Sequence, residues 1–264
     1  LLAGLLPQSA GAAGLYLPDN GVRALMRGGA FATRADDLTA VHHNPAGLAK
    51  LKGTHILYNH TLMWHETTFT RGPSVIPQSA ASDAGLDSFA PVHNESPFFG
   101  LGAFLGAATD FGLDDWTFAL AGYGPNSFGG TKYPTDGGQR WMLTKLEALL
   151  FHLGAAAAWN YQDKLGLGLT VAYVNMPFTR YDLVTDGISG SQINPYSSSS
   201  EVLAKMEVSD PFAFTAAVGA WYRPFPFLEV ACSGYVLPTR IQATGDISIH
   251  NATDRTNFSE EQLL

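Results

Sequence analysis

The stretch PFFGLGAFLGAATDFGLDDWTFALAGY, Pro97 to Tyr123, alternates with a period of two and is interrupted once. Before the interruption Phe99, Leu101, Ala103, Leu105 and Ala107 fall on one side and Gly100, Gly102, Phe104, Gly106 and Ala108 on the other. After it, Trp116, Phe118 and Leu120 oppose Thr117, Ala119 and Ala121. Successive side chains of a strand point to opposite faces, so the spacing predicts two neighbouring strands, large on one face and small on the other. The polar turn at DFGLDD joins them.

The pattern recurs in both directions along the chain. THILYNHTLMWHETTFT, from Thr54, reads as an earlier strand, and Arg71 to Pro97 as a long loop. Leu146, Ala148, Leu150 and His152 alternate with Lys145, Glu147, Leu149 and Phe151; NYQDK then turns the chain into Leu165, Leu167, Leu169, Val171 and Tyr173. Past a polar region over Tyr181 to Ser200, Phe212, Phe214, Ala216, Val218 and Tyr222 oppose Ala213, Thr215, Ala217 and Gly219. RPFPF is a tight connection and IQATGDISI the last strand-like segment. The expectation is about seven or eight strands.

Composition bears on what these strands face. The chain of 264 residues has 14% charged residues and 12% aromatic ones, against roughly 25% charged in a soluble domain. Large surfaces away from water follow. Short connections alternate with long ones near 70 to 97, 124 to 140 and 181 to 200, as in outer-membrane barrels. Trp116, Tyr123, Trp141, Trp159, Tyr173, Trp221 and Tyr222 fall mostly near strand ends, where a membrane interface takes amphipathic rings. A soluble all-β domain remains the alternative. The net charge of -8 and the lack of a basic cluster give no reason to expect nucleic acid as a partner. The lone Cys232 excludes an intrachain disulfide and, among apolar neighbours, is expected to be packed.

The opening LLAGLLPQSAGAAG reads as the end of a secretory signal, giving an expected remnant over 1–13, with an ordinary apolar start as the alternative. The segment GGAFATRADDLTAVHHNPAGLAKLKG resembles the N-terminal signature of the FadL/TodX family of outer-membrane transporters for long-chain fatty acids and other hydrophobic compounds. Gly28, Gly29 and Ala30, then Ala35, Asp36 and Asp37, then Asn44, Pro45, Ala46, Gly47 and Leu48 carry it. It continues more loosely through TDGGQRWML and AAVGAWYRPFPFLEVACSGYVLPTRIQATGDI.

The resemblance implies an all-β membrane protein of the bacterial outer membrane, a fourteen-stranded antiparallel barrel plugged by an N-terminal hatch. On this sequence the hatch covers 14–50, and 51–264 holds the first seven or eight strands of a barrel truncated at its C-terminus. It further implies passive transport: capture beside the hatch, then lateral release through an opening in the wall near the third strand, with Gly122, Gly124 and Pro125 as candidate kink formers. Partners would be a fatty acid or other hydrophobic small molecule and outer-membrane lipid, with the missing C-terminal half completing the sheet. No cofactor is expected. Two other roles stay open: a non-transporting plugged barrel serving as scaffold for another envelope protein, and a soluble β-rich ligand-binding domain.

Residue by residue, the hatch signature reads as architecture. Asp36 or Asp37 can accept backbone amides at a turn or helix start, Asn44 and Pro45 fix the turn that includes Ala46, and Gly47 gives room for close approach. His42 and His43, adjacent in an extended segment, would point to opposite sides and share no metal. Arg27 and Arg34 are candidate partners for wall carboxylates such as Glu147. Leu15, Tyr16, Leu17, Val22, Leu25, Met26 and Phe31, with inward Phe104, form an apolar set that either packs on the wall or lines a ligand cavity. No HExxH, paired CxxC, Walker loop or GxSxG occurs, and no enzyme is expected.

Overall fold

The computed structural model describes residues 21–71, 90–124, 130–186 and 201–252. The expected signal remnant, Leu15, Tyr16, Leu17 and Pro125 lie outside the described residues. In chain order the strands are β1 (Thr54–Trp64), β2 (Thr68–Phe69), β3 (Val92–His93), β4 (Phe98–Thr109), β5 (Trp116–Tyr123), β6 (Gly130–Lys132), β7 (Lys145–Tyr161), β8 (Leu165–Asp186), β9 (Glu201–Phe225), β10 (Leu228–Leu237) and β11 (Thr244–Asn251). Two short helices, α1 (Val22–Leu25) and α2 (Ala40–His43), and a 3-10 segment, Pro45–Lys50, precede them.

One antiparallel sheet dominates, in the order β1-β4-β5-β7-β8-β9-β10, while β2 and β3 pair separately. β6 pairs β7 above β5, and β11 pairs β9 above β10. β6 shares the wall position of β5 and β11 that of β10, so the described wall is seven strands wide, within the expected seven or eight. The sheet path has two ends, β1 and β10, and is consistent with part of an outer-membrane barrel.

The alternation predicted over Pro97–Tyr123 places the faces. Leu105, Phe118, Leu120, Leu153, Leu167, Leu169, Phe214 and Tyr222 are exposed on one side. Their neighbours Phe104, Ala108, Ala119, Ala121, Ala156, Ala158 and Trp221 are buried in a cluster with Ala24, Phe31, Leu38, Val41, Ala46 and Leu48 of the N-terminal segment. Because that one segment touches β4 through β10, and adjacent strands are about 4.8 Å apart, the sheet must curl around it. Small residues on the inner face leave room for the segment, and large ones on the outer face form an apolar surface.

Turns at one edge are short and backbone-specific. Phe111 (φ 50) and Gly112 (φ 76) turn β4 into β5, and Gln162 (φ 52) and Asp163 (φ 54) turn β7 into β8. The expected tight connection RPFPF is shorter still: β9 runs to Phe225 and only Pro226 and Phe227 separate it from β10. Cys232 differs from expectation. It is exposed and lies opposite Ala220 on the outer side of β10, because the alternation of β10 turns it away from the N-terminal segment.

Candidate functional site

The N-terminal segment is folded by its own polar residues. Asp37 Oδ1 accepts the Thr39 amide (2.9 Å) and hydroxyl (2.5 Å) at the approach to α2. Asp36 pairs with Arg34 (2.7 Å) and Arg23 (3.0 Å). Asn44 is extended (φ -160, ψ 99); its carbonyl oxygen accepts the Ala46 amide at 3.1 Å and its amide donates to the Ala32 carbonyl at 2.8 Å. With Pro45 in the first turn, this starts the 3-10 segment, in which Pro45 through Ala49 are all buried. A side chain at Gly47 would sit 2.0 Å from the Ala35 carbonyl oxygen, so close packing of the two backbone runs requires glycine.

The wall receives this turn at matching positions. A Cβ at Gly168 of β8 would lie 2.2 Å from the Pro45 carbonyl carbon, and one at Gly219 of β9 would lie 1.9 Å from Asn44 Oδ1. Around this contact the wall donates to segment carbonyls: Thr117 to Leu51 (3.0 Å), Thr170 to Val41 (2.9 Å), Trp221 Nε1 to Ala46 (2.8 Å) and Ser233 to His43 (2.8 Å). Each bond satisfies a carbonyl that would otherwise be dehydrated without a partner. Lys50 Nζ reaches Glu229 (2.5 Å), the Thr33 carbonyl (2.9 Å) and the Trp221 ring (5.3 Å to the centroid). Arg223 shares the same carboxylate at 2.6 Å.

At the other end of α2 lies an imidazole cluster. The rings of His42 and His43 meet edge to face at 5.0 Å, because the pair sits on a short helix rather than in the extended run expected from sequence. His42 also meets Tyr123 of β5 at 5.4 Å, Tyr123 stacks on His152 of β7 at 5.1 Å, and Phe31 meets His43 at 5.4 Å. Burial, then the neighbouring imidazoles His43 and His152, push the His42 pKa down to about 3. The Nδ1 atom of His152 is buried without a hydrogen-bond partner.

This cluster adjoins the end of β5 at Tyr123. β5 pairs β7 over His152–Trp159, and β6 pairs it only over Lys145–Glu147. Residues 148–151 of β7 thus have no ladder partner on that side among the described residues. Among the described residues, β4 pairs with β5 from Phe104 onward. The ladder passes through Gly122 without a shift, with Leu105 and Leu153 as partners, and Gly124 stands just past the strand end.

The remaining predicted positions separate. Phe31 and Phe104 are wholly buried at 0% exposure, packed in the cluster between segment and wall. Val22, Leu25 and Met26 are exposed, Met26 at 81%. Arg34 pairs with Asp36 rather than with the wall, and Glu147 pairs with Lys145 (2.9 Å) and Arg180 (3.5 Å), far along the sheet from the segment. Lys50 and Glu229, which sequence reasoning passed over, make the cross-connection instead. The tight Pro226–Phe227 turn was the available signal, since it sets Glu229 beside the strand edge. Among the described residues no group of three or more His, Cys, Asp or Glu is placed to hold a metal ion. A cleft of about 670 Å³ at the short-turn end is lined by Arg27, Arg34, Lys50, Arg223 and Glu229, among others. Its charges suit no oily ligand.

The fold has a counterpart of known structure. The chain resembles the crystal structure of a Pseudomonas aeruginosa FadL homologue with a TM-score of 0.58 and 13% identity, over 82% of this chain and 51% of that one. The fold is FadL-like. The Pseudomonas putida toluene transporter TodX gives a TM-score of 0.48 and 14% identity, over 80% of this chain and 57% of that one. The chain spans about half the length of the FadL homologue. No family model and no curated protein matches it. Within the FadL-like fold, the stretch from Gly21 to Leu51 packs on the inner face of the wall.

Proposed function

We propose that the chain belongs to an outer-membrane barrel that passes long-chain fatty acids or other hydrophobic molecules without a cofactor. The stretch from Gly21 to Leu51 is its hatch. What supports this reading is the apolar seam between the N-terminal segment and the wall, where Phe31, Phe104 and Tyr123 are buried together beside 148–151 of β7, which have no ladder partner on the β5 side among the described residues. An oily molecule captured next to Phe31, Phe104 and Tyr123 has there a short way through the wall to the apolar outer face. Burial of alkyl groups, about 0.8 kcal/mol per CH₂, supplies capture and makes discrimination among oily substrates modest.

Gly122 offers the test. It lies one residue before the strand end, and nothing stands within 4 Å of where its Cβ would be. Gly122→Phe puts a ring on the outer face between Leu105 and Leu153, beside the proposed way out. Cells carrying this variant should take up a labelled long-chain fatty acid or toluene at a several-fold lower rate, with the heat-modifiable gel mobility of the folded barrel retained. Uptake at the unaltered rate in folded variant removes the lateral exit.

A further inference from the structure

We propose that the imidazole cluster is an acid-sensitive catch, in which protonation of His42 and His152 loosens the hatch from β5 and β7. It rests on the hatch reading above and adds to it a control by pH.

The chemistry follows from what surrounds the rings. A protonated imidazole carries two N–H donors and a full charge, and it needs water or a carboxylate nearby. Among the described residues, the faces packed on His42 present no carboxylate. From α2 comes His43, from β5 Tyr123, from β7 His152, and the charges felt by His42 are those of the other two imidazoles. From β4 the apolar Phe104 stacks near Tyr123 at 6.0 Å, from the start of the hatch Phe31 covers His43, and from β10 Tyr235 interacts with Tyr123. Charging any one imidazole therefore repels its neighbours and strands a cation under the hatch. His152 Nδ1, buried and unpartnered, has no acceptor waiting for a second proton.

The sign is fixed by linkage. In the docked state His42 is held neutral down to about pH 3, whereas a solvated histidine binds its proton near 6.5. The undocked state thus binds more protons between those values, and docking weakens as pH falls below about 6.5. From pH 7.5 to 5.5 the docked population relative to the undocked one drops about ten-fold through His42 alone. Protonation at His152 adds to this. The catch is fully closed in neutral medium and progressively released by mild acid.

Hydrogen exchange followed by mass spectrometry on the full-length protein in lipid nanodiscs tests this without reference to transport. Peptides covering 38–51 report the hatch, those covering 165–175 report the wall, and rates are corrected for the intrinsic effect of pH. Hatch protection should fall about ten-fold or more between pH 7.5 and 5.5 while wall protection holds. His42→Gln combined with His152→Gln should flatten that dependence, whatever it does to protection at pH 7.5. Constant hatch protection in the unaltered protein, or an unchanged pH slope in the double variant, overturns the catch. Where the double variant does not assemble, His152→Gln alone must show a smaller slope, and an undiminished one counts equally against it. A pH response without uptake would refute the transport reading and leave the catch standing.

Discussion

Asn44 does three things at once: it starts the 3-10 segment, ties the turn back to Ala32, and presents its side-chain oxygen to the bare backbone of Gly219. Gly219→Ala and Gly168→Ala should each destabilise the folded protein by about 1–3 kcal/mol, because the added methyl meets the Pro45–Ala46 backbone at Gly168 and, at Gly219, the Asn44 side chain that is held by its own hydrogen bonds. Gly122→Ala, with open space around it, should change stability by about 0.5 kcal/mol or less. Urea unfolding in detergent, read by tryptophan fluorescence, separates the two cases. The signature residues Asn44, Pro45 and Gly47 were legible in the sequence as a turn. Their sockets were not, because a glycine among the many of an alternating strand carries no mark of what approaches it. In the turn after β4, amides of Gly53 and Gly112 hold the Asp110 carboxyl below its ordinary value of 3.8. A lowered carboxylate stabilises the fold above about pH 4, and that contribution is lost as pH falls through its folded pKa. Asp110→Asn should therefore be less stable than the unaltered protein at pH 7, with the difference shrinking below about pH 4 in the same unfolding assay.

Among the elements, β8 and β9 show where sequence patterning stops being informative. The run from Tyr181 reads as a polar loop, yet β8 continues to Asp186 against a β9 that starts at Glu201. Charges in register across three strands explain the extension: Lys145, Asp182 and Lys205 form one row, and Glu147, Arg180 and Glu207 the next. Opposite charges facing each other favour pairing without any apolar alternation. At the base of β9, Arg140 donates twice to Glu201, at 3.0 and 2.8 Å, with Trp141 donating to the same oxygen at 3.0 Å. Both ionic side chains are nearly buried, at 8% and 4% exposure. Glu201→Ala leaves the Arg140 guanidinium without this carboxylate and should cost about 3–5 kcal/mol. Faster proteolytic cleavage within 133–144, together with a lower urea midpoint, is the expected result. The alternation in β4 and β5 was readable because each face there meets a uniform medium. The extension of β8 was not, because polar and apolar residues are mixed on each of its faces, with Val184 buried between Asp182 and Asp186.

For the whole molecule, the outer face decides the environment. Leu167, Leu169, Val171, Phe214 and Val218 form a contiguous exposed apolar band across β8 and β9, where a soluble domain would carry charge. Leu169→Arg should lower the yield of folded protein in lipid vesicles, at a cost of about 2–4 kcal/mol if the site is near the bilayer midplane. The inward neighbour Thr170 belongs instead to the hatch contact, through its bond to Val41. Folding of the arginine variant with unchanged yield and stability would remove the membrane assignment of this face.

The bonds that seat the hatch are made between distant parts of the chain. Val41 waits for Thr170, Ala46 for Trp221, Lys50 for Glu229 and His43 for Ser233, separations of 129, 175, 179 and 190 residues. Contacts so far apart in sequence close late, since long loops must be ordered before such contacts give anything back. An early part of the chain is thus the last to find its place, and every assembly intermediate lacking β9 or β10 holds the hatch region without a seat. Docking of the N-terminal segment therefore reports that the strands holding it are already in register.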